Sequence, residues 1–239
     1  MRLKLDFAAQ DGTHFGDVKI LDEMLAAIPN PVDYWDATAA SVTTTGGRVS
    51  AWTGKLGRQF VQTTAARRPV FTGNGLRMAN SDGNTAEAIF TLAGAQIGEQ
   101  TALTIATRVR IAAPALDVDG QYLWAGSSPI LRVMYRDSGN NYIRSQILSS
   151  ANSNIDVDIP EAQADIGVIM VANGTSFSMH VAGFGTGSFE AAANASFSNL
   201  FLGSATGVTP TLVGWQKRFG VWRHVPTADE LATLLKWVA

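Results

Sequence analysis

Apolar and polar residues alternate along much of this chain, in short runs separated by Gly, Asn, Asp and Ser. In residues 101–111, every second residue from Leu103 to Ile111 forms one largely apolar face, while Arg108 and Arg110 lie on the other. Such alternation is typical of a β-strand with one buried and one solvated face. The pattern recurs between turn signals, so it predicts a fold built from many short strands.

Turn residues mark where these strands reverse. Asn173-Gly174 lies between two alternating runs and is a strong signal for a two-residue hairpin. Residues 137–141 predict a second hairpin loop. Residues 155–159 carry Asp156 and Asp158 on one face, which favours a strand at the solvated edge of a sheet.

Two segments have helical periodicity instead. Near the N-terminus, four apolar residues recur at helical spacing before a Pro-Asn-Pro sequence: Leu21, Met24, Leu25 and Ile28. At the C-terminus, Thr227 and Glu230 have the spacing of a capping box and precede a stripe of leucines. The second pattern predicts a short final helix.

Pro29-Asn30-Pro31 is a natural boundary, and we divide the chain into a segment 1–33 and a larger domain 34–239. The segment is too short to form a core of its own, which leaves two interpretations open. In the first, it packs on the domain and covers an edge of a sheet. In the second, which we favour, it is a docking or oligomerisation element that a partner orders. Its contact residues would then be Leu21, Met24, Leu25 and Ile28.

Composition narrows the classes of function. Of the 239 residues, 46% are hydrophobic and 16% charged, which suits a chain that buries a core. A net charge of −2 and a pI of about 5.9 argue against nucleic-acid binding. The absence of cysteine excludes disulfides and thiolate chemistry. No membrane-spanning run or N-terminal signal sequence is recognisable, so we expect a chain that folds in a cytoplasm without membrane insertion.

The region from Tyr34 to Met78 contains four motifs in a distinctive order. They are Tyr34-Trp35-Asp36-Ala37, Gly47-Arg48-Val49 with Trp52, Arg68-Pro69-Val70-Phe71, and Asn74-Gly75-Leu76. In this order they resemble the opening of the laminin-G-like, concanavalin A-like jelly-roll family, and the resemblance covers residues 34–239. It implies an all-β sandwich of two antiparallel sheets with a short C-terminal helix. The final helix also resembles the one that closes laminin-G-like domains of bacteriophage proteins.

That resemblance implies a virion component of a bacteriophage or phage-like particle, such as a spike, fibre or decoration protein. Its expected partners are other virion proteins, copies of itself and a host-surface glycan. A standalone carbohydrate-binding lectin is the alternative, and a glycan hydrolase is a further one. Fold alone does not decide among these, because one architecture hosts many functions.

Sugar binding requires an aromatic ring for stacking and amide groups that bind hydroxyls. Trp35, Trp52 and Trp222 lie on predicted core strands and Trp237 on the final helix. Trp124, beside a Gly-Ser-Ser sequence, and Trp215, in a predicted turn, are better candidates for exposure. The predicted carbohydrate-binding residues are therefore Trp124, Trp215, Asn140 and Asn141.

Metal binding and catalysis have weaker signals. The loop residues Asp82, Asn84 and Asp137 offer oxygen ligands for Ca²⁺, although Asp and Asn are also ordinary turn residues. We expect no cofactor and leave calcium as the open alternative. The paired acids Asp117/Asp119 and Asp156/Asp158 lack the further Glu that retaining glucanases of this fold carry on the same strand. We therefore expect a protein that is not an enzyme.

Overall fold

The computed structural model describes residues 21–78, 90–92, 98–112, 120–126, 130–137, 141–148, 153–159, 165–191, 195–197, 199–203 and 212–239. The helices are α1 (Leu21–Ala26) and α2 (Ala228–Val238), with a 3₁₀ turn at Ala65–Arg67. The first strands are β1 (Pro31–Asp36), β2 (Val42–Thr45), β3 (Arg48–Thr53), β4 (Gln59–Val61), β5 (Val70–Phe71), β6 (Leu76–Arg77), β7 (Phe90–Leu92), β8 (Gly98–Gln100), β9 (Ala102–Ile111) and β10 (Gln121–Gly126). The remaining strands are β11 (Ile130–Asp137), β12 (Asn141–Leu148), β13 (Ser153–Asp158), β14 (Asp165–Asn173), β15 (Ser176–Val181), β16 (Gly185–Glu190), β17 (Ala195–Phe197), β18 (Leu200–Leu202) and β19 (Gly214–Trp222).

These strands form two large antiparallel sheets that pack face to face. Within the described residues, sheet I has eight strands in the order β16-β15-β14-β9-β19-β6-β5, with β1 also paired to β19. Sheet II has nine strands in the order β13-β12-β11-β10-β18-β7-β4-β3-β2, and β8 pairs separately with β17. The predicted all-β sandwich with a C-terminal helix is confirmed. The Asn173-Gly174 hairpin is confirmed as well, since it joins β14 to β15.

The main core lies between the inner faces of the sheets. Trp35, Trp52, Phe60 and Phe219 are fully buried there and form one aromatic cluster, in which the Trp35 and Phe60 ring centroids are 4.7 Å apart. Burying each such side chain contributes about 2–3 kcal/mol. The strand positions predicted for Trp35, Trp52 and Trp222 are thus buried, as expected.

A second apolar cluster lies on the outer face of sheet I, under both helices. Leu25 and Ile28 are 0% and 2% exposed, and they pack in this cluster with Trp222, Leu234 and Trp237. These two residues are therefore not exposed for docking in this structure, and the docking role of the segment stays a prediction. Their burial favours the first interpretation of the N-terminal segment, in which it covers the sandwich.

Leu21 and Met24, the other two predicted docking residues, are partly buried. Leu21 packs against the edge of the same cluster, and Met24 lines a groove beside α2. The predicted strand at residues 2–7 lies outside the described residues.

The strand β9 follows its predicted alternation on the inner face but not along its whole outer face. Leu103, Ile105, Val109 and Ile111 are in the core between the sheets. On the outer face, Ala106 is covered by the helix cluster, whereas Arg108 and Arg110 lie beyond it. Sheet I therefore has an outer face that is apolar and covered by the helices at one end. It is basic at the other end, where the C-terminal turn of α2 lies against Gly167 and accepts a hydrogen bond from Arg218.

The final helix starts with the predicted capping box. Glu230 N–H donates to the Thr227 hydroxyl at 3.3 Å, and Thr227 N–H donates to the Glu230 carboxylate at 2.7 Å. Nε2 of His224 lies 2.9 Å from the same carboxylate. Burial raises the pKa of Glu230, but the hydrogen bonds from Thr227 and His224 outweigh it, so the net pKa lies below its ordinary value.

Asp33 on β1 holds the loop between β3 and β4. Its side chain is fully buried, and its carboxylate accepts hydrogen bonds from the backbone N–H of Tyr34 at 2.7 Å, Leu56 at 2.9 Å and Arg58 at 2.7 Å. Gly54 lies against this carboxylate, since a Cβ at Gly54 would be 2.3 Å from Asp33 Cγ. One buried carboxylate thus fixes a loop more than 20 residues away in the chain.

Across the described residues, no helix is long and apolar enough to span a bilayer.

Candidate functional site

The six tryptophans separate into five buried side chains and one at the surface. Trp124, predicted to be exposed, is fully buried in the core between the sheets, so it cannot stack on a sugar. The reason is a β-bulge between Tyr122 and Trp124, where the register with β11 shifts by one residue. Because of this shift, Leu123 and Trp124 both point inward, which simple alternation does not anticipate. Trp215 is only partly buried.

Trp215 lies on strand β19 rather than in the predicted turn. It pairs with Arg110 on β9 and with Arg77 on β6, so all three side chains share the outer face of sheet I. The indole N–H donates to the Thr72 hydroxyl at 3.0 Å. The Arg110 guanidinium carbon is 5.9 Å from the ring centroid, within the range of a cation–π contact. These contacts hold the indole in a defined position at the surface.

The turn between β5 and β6 connects Trp215 to an adjacent polar cavity. Thr72, at the start of this turn, contacts the indole, and the next residues, Gly73 and Asn74, line the cavity. Gly75 has a φ of +135°, and a Cβ there would lie 2.9 Å from the Gln216 carbonyl oxygen. Only glycine lets the turn approach β19 so closely. The Asn74-Gly75 pair of the sequence motif therefore places the turn beside Trp215.

The cavity has a volume of about 240 Å³. Charged residues make up most of its lining, together with Asn74 of the turn: Asp36, Arg108, Lys217 and Arg218. A register shift in β19 between Gln216 and Arg218 makes Lys217 an extra, bulged residue. The bulge lets two consecutive cations, Lys217 and Arg218, both line the cavity. We call Trp215 and this lining the Trp215 site.

Ion pairs organise the charges of the Trp215 site. The Asp165 carboxylate accepts from Arg108 Nη2 at 2.9 Å and from Lys217 Nζ at 2.7 Å. Burial raises the pKa of Asp165, but Lys217 and Arg108 outweigh that effect and bring it below the ordinary value. Arg218 Nε lies 3.4 Å from Asp36, and its Nη1 donates to the Trp237 carbonyl oxygen.

Positive charge exceeds negative charge at this end of sheet I. Five cations, Arg77, Arg108, Arg110, Lys217 and Arg218, face two carboxylates, Asp36 and Asp165. Among the side chains that the structure describes here, the formal excess is three positive charges, although the chain as a whole carries −2. The Arg108 Nε atom is buried and has no hydrogen-bond partner in the part of the chain that the structure describes. A buried guanidinium N–H without a partner is costly, so Arg108 is held at this position at some expense of stability.

The outer face of sheet II carries a second polar and aromatic array. The Arg132 guanidinium donates to Gln146 Oε1 at 3.0 and 2.6 Å and to the Tyr122 hydroxyl at 2.6 Å, and it lies over the Tyr122 ring. Arg144 binds Asp156 with two hydrogen bonds of 2.6 Å. These groups satisfy one another. We therefore take the Trp215 site, with its cavity and its unpaired donor, as the stronger candidate.

The other predicted site residues do not join Trp215. Asn141 begins β12, on the opposite sheet, and its amide oxygen accepts the Tyr135 hydroxyl at 2.6 Å. Asn140, Asp82 and Asn84 lie outside the described residues. Asp137 ends β11, but its side chain is not among those described. Within the described ranges, no group of three or more His, Cys, Asp or Glu residues is placed to hold a metal ion.

One acidic pair of the sequence is described. Asp156 and Asp158 are exposed on β13, the edge strand of sheet II, which confirms their predicted place on a solvated edge. Asp156 is engaged by Arg144. The second pair, Asp117 and Asp119, lies outside the described residues.

Sequence reasoning missed most of the Trp215 site. Arg108 and Arg110 were recognisable as the polar face of β9, but not as neighbours of Trp215. Asp165 and Lys217 gave no signal of their own, because their proximity depends on the order of strands in sheet I.

No protein-family model and no curated protein sequence matches this chain. Solved structures do match, and they agree with a jelly-roll β-sandwich fold. A Trypanosoma rangeli sialidase in complex with a 2,3-difluoro-KDN matches 90% of this chain, with a TM-score of 0.58 and 16% identity. The botulinum neurotoxin serotype D ligand binding domain, in complex with N-acetylneuraminic acid, matches 90% with a TM-score of 0.58 and 10% identity. The botulinum neurotoxin type G receptor binding domain matches 87% with a TM-score of 0.59 and 13% identity.

The chain spans only 37%, 52% and 51% of the length of these three proteins, respectively. At such low identity, the likeness establishes the fold alone.

Proposed function

We propose that this chain is a carbohydrate-binding module that recognises a glycan at the Trp215 site. One observation carries the proposal: of six tryptophans, only Trp215 is placed at the surface, and it lies beside a polar cavity. An aromatic ring next to amide and charged groups is the usual arrangement for binding a sugar, whose C–H faces stack and whose hydroxyls form hydrogen bonds. Asn74 and the charged lining supply those polar groups.

The neighbours' ligands are compatible with this proposal. The serotype D domain was solved with N-acetylneuraminic acid, and the trypanosomal sialidase with a KDN derivative. A similar fold is thus present in two proteins that were solved in complex with sugars. The support is at the level of fold, since the chain corresponds to about half or less of each protein.

We also propose that the module acts without catalysis and without a bound metal ion. Glycan hydrolysis on this fold needs two carboxylates about 5–5.5 Å apart in a cleft. Asp156 lies on an exposed edge strand in an ion pair, where it is unsuited to that role. We expect no release of reducing sugar from any bound glycan, and no effect of EDTA on binding.

A glycan array followed by titration calorimetry tests the binding proposal. Trp215→Ala should weaken binding of any glycan found by roughly tenfold, because it removes the stacking surface. Phe184→Ala is the matched control, since Phe184 is another surface aromatic, 40% exposed, in the turn between β15 and β16. If no glycan binds, or if both variants lose affinity equally, the proposal is wrong.

We further propose that the module belongs to a bacteriophage or phage-like particle, as a spike, fibre or decoration protein that attaches to a host glycan. The support is the resemblance of residues 34–239 to laminin-G-like domains of phage proteins. The expected partners are other virion proteins and copies of this chain. Mass spectrometry of particles purified from a producing culture should then detect the chain at a fixed ratio to the major structural proteins.

A standalone lectin is the competing function, and the same experiment separates the two. If the chain binds glycan but is absent from the particles, the lectin interpretation holds and the virion proposal fails.

A further inference from the structure

The Trp215 site combines three features that together restrict its ligand. They are the excess of positive charge, the partial burial of that charge, and a cavity that Arg108, Lys217 and Arg218 line.

Charge comes first. Among the described side chains, five cations accompany two carboxylates at this end of sheet I, in a chain whose net charge is −2. Asp165 and Asp36 neutralise part of the lining and leave an excess of positive charge. A neutral sugar gains nothing from this excess, whereas a negatively charged sugar is attracted to it.

Partial burial of these cations strengthens their attraction for a negatively charged sugar. The side chains of Arg108, Lys217 and Arg218 are 23%, 21% and 26% exposed, so solvent screens them less than it screens fully exposed lysines. Holding these cations close together without enough counter-charge costs free energy, and an incoming anion lowers that cost.

The cavity gives direction to the attraction, because Arg108 and Lys217 both line it. Arg108 uses Nη2 to bind Asp165, while its buried Nε has no partner in the described residues. A guanidinium presents its donors in a planar fork that matches the two oxygens of a carboxylate. Hydrogen bonds between charged groups are roughly twice as strong as neutral ones, so a carboxylate oxygen is a better acceptor here than a hydroxyl.

We infer that the Trp215 site selects a sugar that carries a carboxylate, with the sugar ring beside the indole and the carboxylate in the cavity near Arg108 and Lys217. This inference depends on the proposed glycan-binding function and specifies its ligand. A uronic acid and a sialic-type acid both carry such a carboxylate, and binding measurements with both sugars compare them.

The probes are oligosaccharides that end in galacturonic acid or in N-acetylneuraminic acid, each paired with its methyl ester. The ester removes the negative charge and keeps the rest of the sugar, so the ratio of the two affinities isolates the carboxylate. We expect the acid of at least one pair to bind roughly tenfold more tightly than its ester at low salt. The preference should shrink as NaCl is added, because salt screens partly exposed charges.

Charge variants locate the effect in the cavity. Lys217→Gln and Arg108→Gln should bring the acid-to-ester affinity ratio close to one. Asp165→Asn should raise that ratio, because it removes the carboxylate that competes for both cations. Arg144→Gln is the matched control, as Arg144 is also paired with an aspartate, Asp156 at 2.6 Å, but lies on the outer face of sheet II. A merely structural role would lower the binding of acid and ester together in all three site variants.

The possible results distinguish a failure of glycan binding from a failure of carboxylate selection. If no glycan on the array binds, the proposed glycan binding fails. If the array yields a glycan but neither the acids nor their esters bind, glycan binding stands and selection of a carboxylate is overturned. If ester and acid bind equally, or if a sulfated neutral sugar binds as tightly as the carboxylate, glycan binding stands and selection of a carboxylate is overturned. A ratio that responds to Arg144→Gln as strongly as to Arg108→Gln would also overturn it, because net charge alone would then explain the preference.

Discussion

The buried carboxylate of Asp33 should be a large single contributor to the stability of the sandwich. Asp33→Ala removes the acceptor for two loop donors, Leu56 N–H and Arg58 N–H, and for its own neighbour Tyr34 N–H. A hydrogen bond to a charged group is worth about 1.5–3 kcal/mol net, so the two loop bonds together contribute about 3–6 kcal/mol. Leu56 is 54% exposed, and water can reach part of this loop after the mutation. We therefore expect a loss of about 3–4 kcal/mol.

A second variant tests the geometry of this contact. Gly54→Ala would place a Cβ 2.3 Å from Asp33 Cγ, and such an overlap costs about 1–3 kcal/mol. In the Asp33→Ala background those side-chain atoms are absent, so the cost of Gly54→Ala should largely vanish. The two mutations should thus be strongly non-additive, with a coupling free energy of about 1–2 kcal/mol or more.

Urea unfolding, followed by tryptophan fluorescence and circular dichroism, measures all four members of this cycle. Asp22→Ala is the control, because Asp22 is 60% exposed and pairs with Lys55 of the same loop at 3.5 Å. An exposed pair of this kind contributes at most about 1 kcal/mol. Two results would contradict this role of Asp33. One is that Asp33→Ala lowers the free energy of unfolding no more than Asp22→Ala does, and the other is that Gly54→Ala lowers it equally with and without Asp33.

Three further predictions concern packing, pH and solvent access. Gly187→Ala should lower the free energy of unfolding by about 1–3 kcal/mol, because its Cβ would lie 2.2 Å from Ile155 Cγ2 where β16 meets β13, and the loss should shrink when Ile155 is also changed to Ala. The pKa of Glu230 lies below its ordinary 4.5, so its stabilising effect is complete above that value and is lost as the pH falls through the lower folded-state pKa. Unfolding midpoints measured across this range should show a weaker acid dependence in Glu230→Gln, and an unchanged dependence would contradict the role of the capping box. Acrylamide should quench the fluorescence of Trp215 well before that of the five buried tryptophans, so Trp215→Phe should remove most of the quenching, whereas substantial residual quenching would show that another indole is accessible.

Local signals were sufficient where neighbouring residues decide the structure. The Thr227/Glu230 capping box, the Asn173-Gly174 hairpin and the inner face of β9 all depend on contacts within a few residues, and each occurs as predicted. The edge position of Asp156 and Asp158 followed from the same logic, because a strand with acidic residues on one face must turn that face to water.

Exposure was predicted less well, because it depends on register. Trp124 and Trp215 had similar turn-like surroundings in the sequence, yet a bulge beside Leu123 turned Trp124 inward while pairing with Arg110 kept Trp215 on the outer face. The two interpretations of the N-terminal segment could not be separated from sequence, and the structure packs Leu25 and Ile28 on the outer face of sheet I.

By itself, the sequence determined that this chain forms strands of alternating polarity, closes them with tight turns and ends in a capped helix, because those choices depend on backbone preferences and on which side chains avoid water. Only the tertiary structure decided which polar residues meet. Arg108, Asp165 and Trp215 come from strands far apart in the chain, and they become neighbours because β9 pairs with both β14 and β19 in sheet I. The physical reason is that burial of the apolar faces sets the order and register of the strands, and the positions of the charged side chains follow from it.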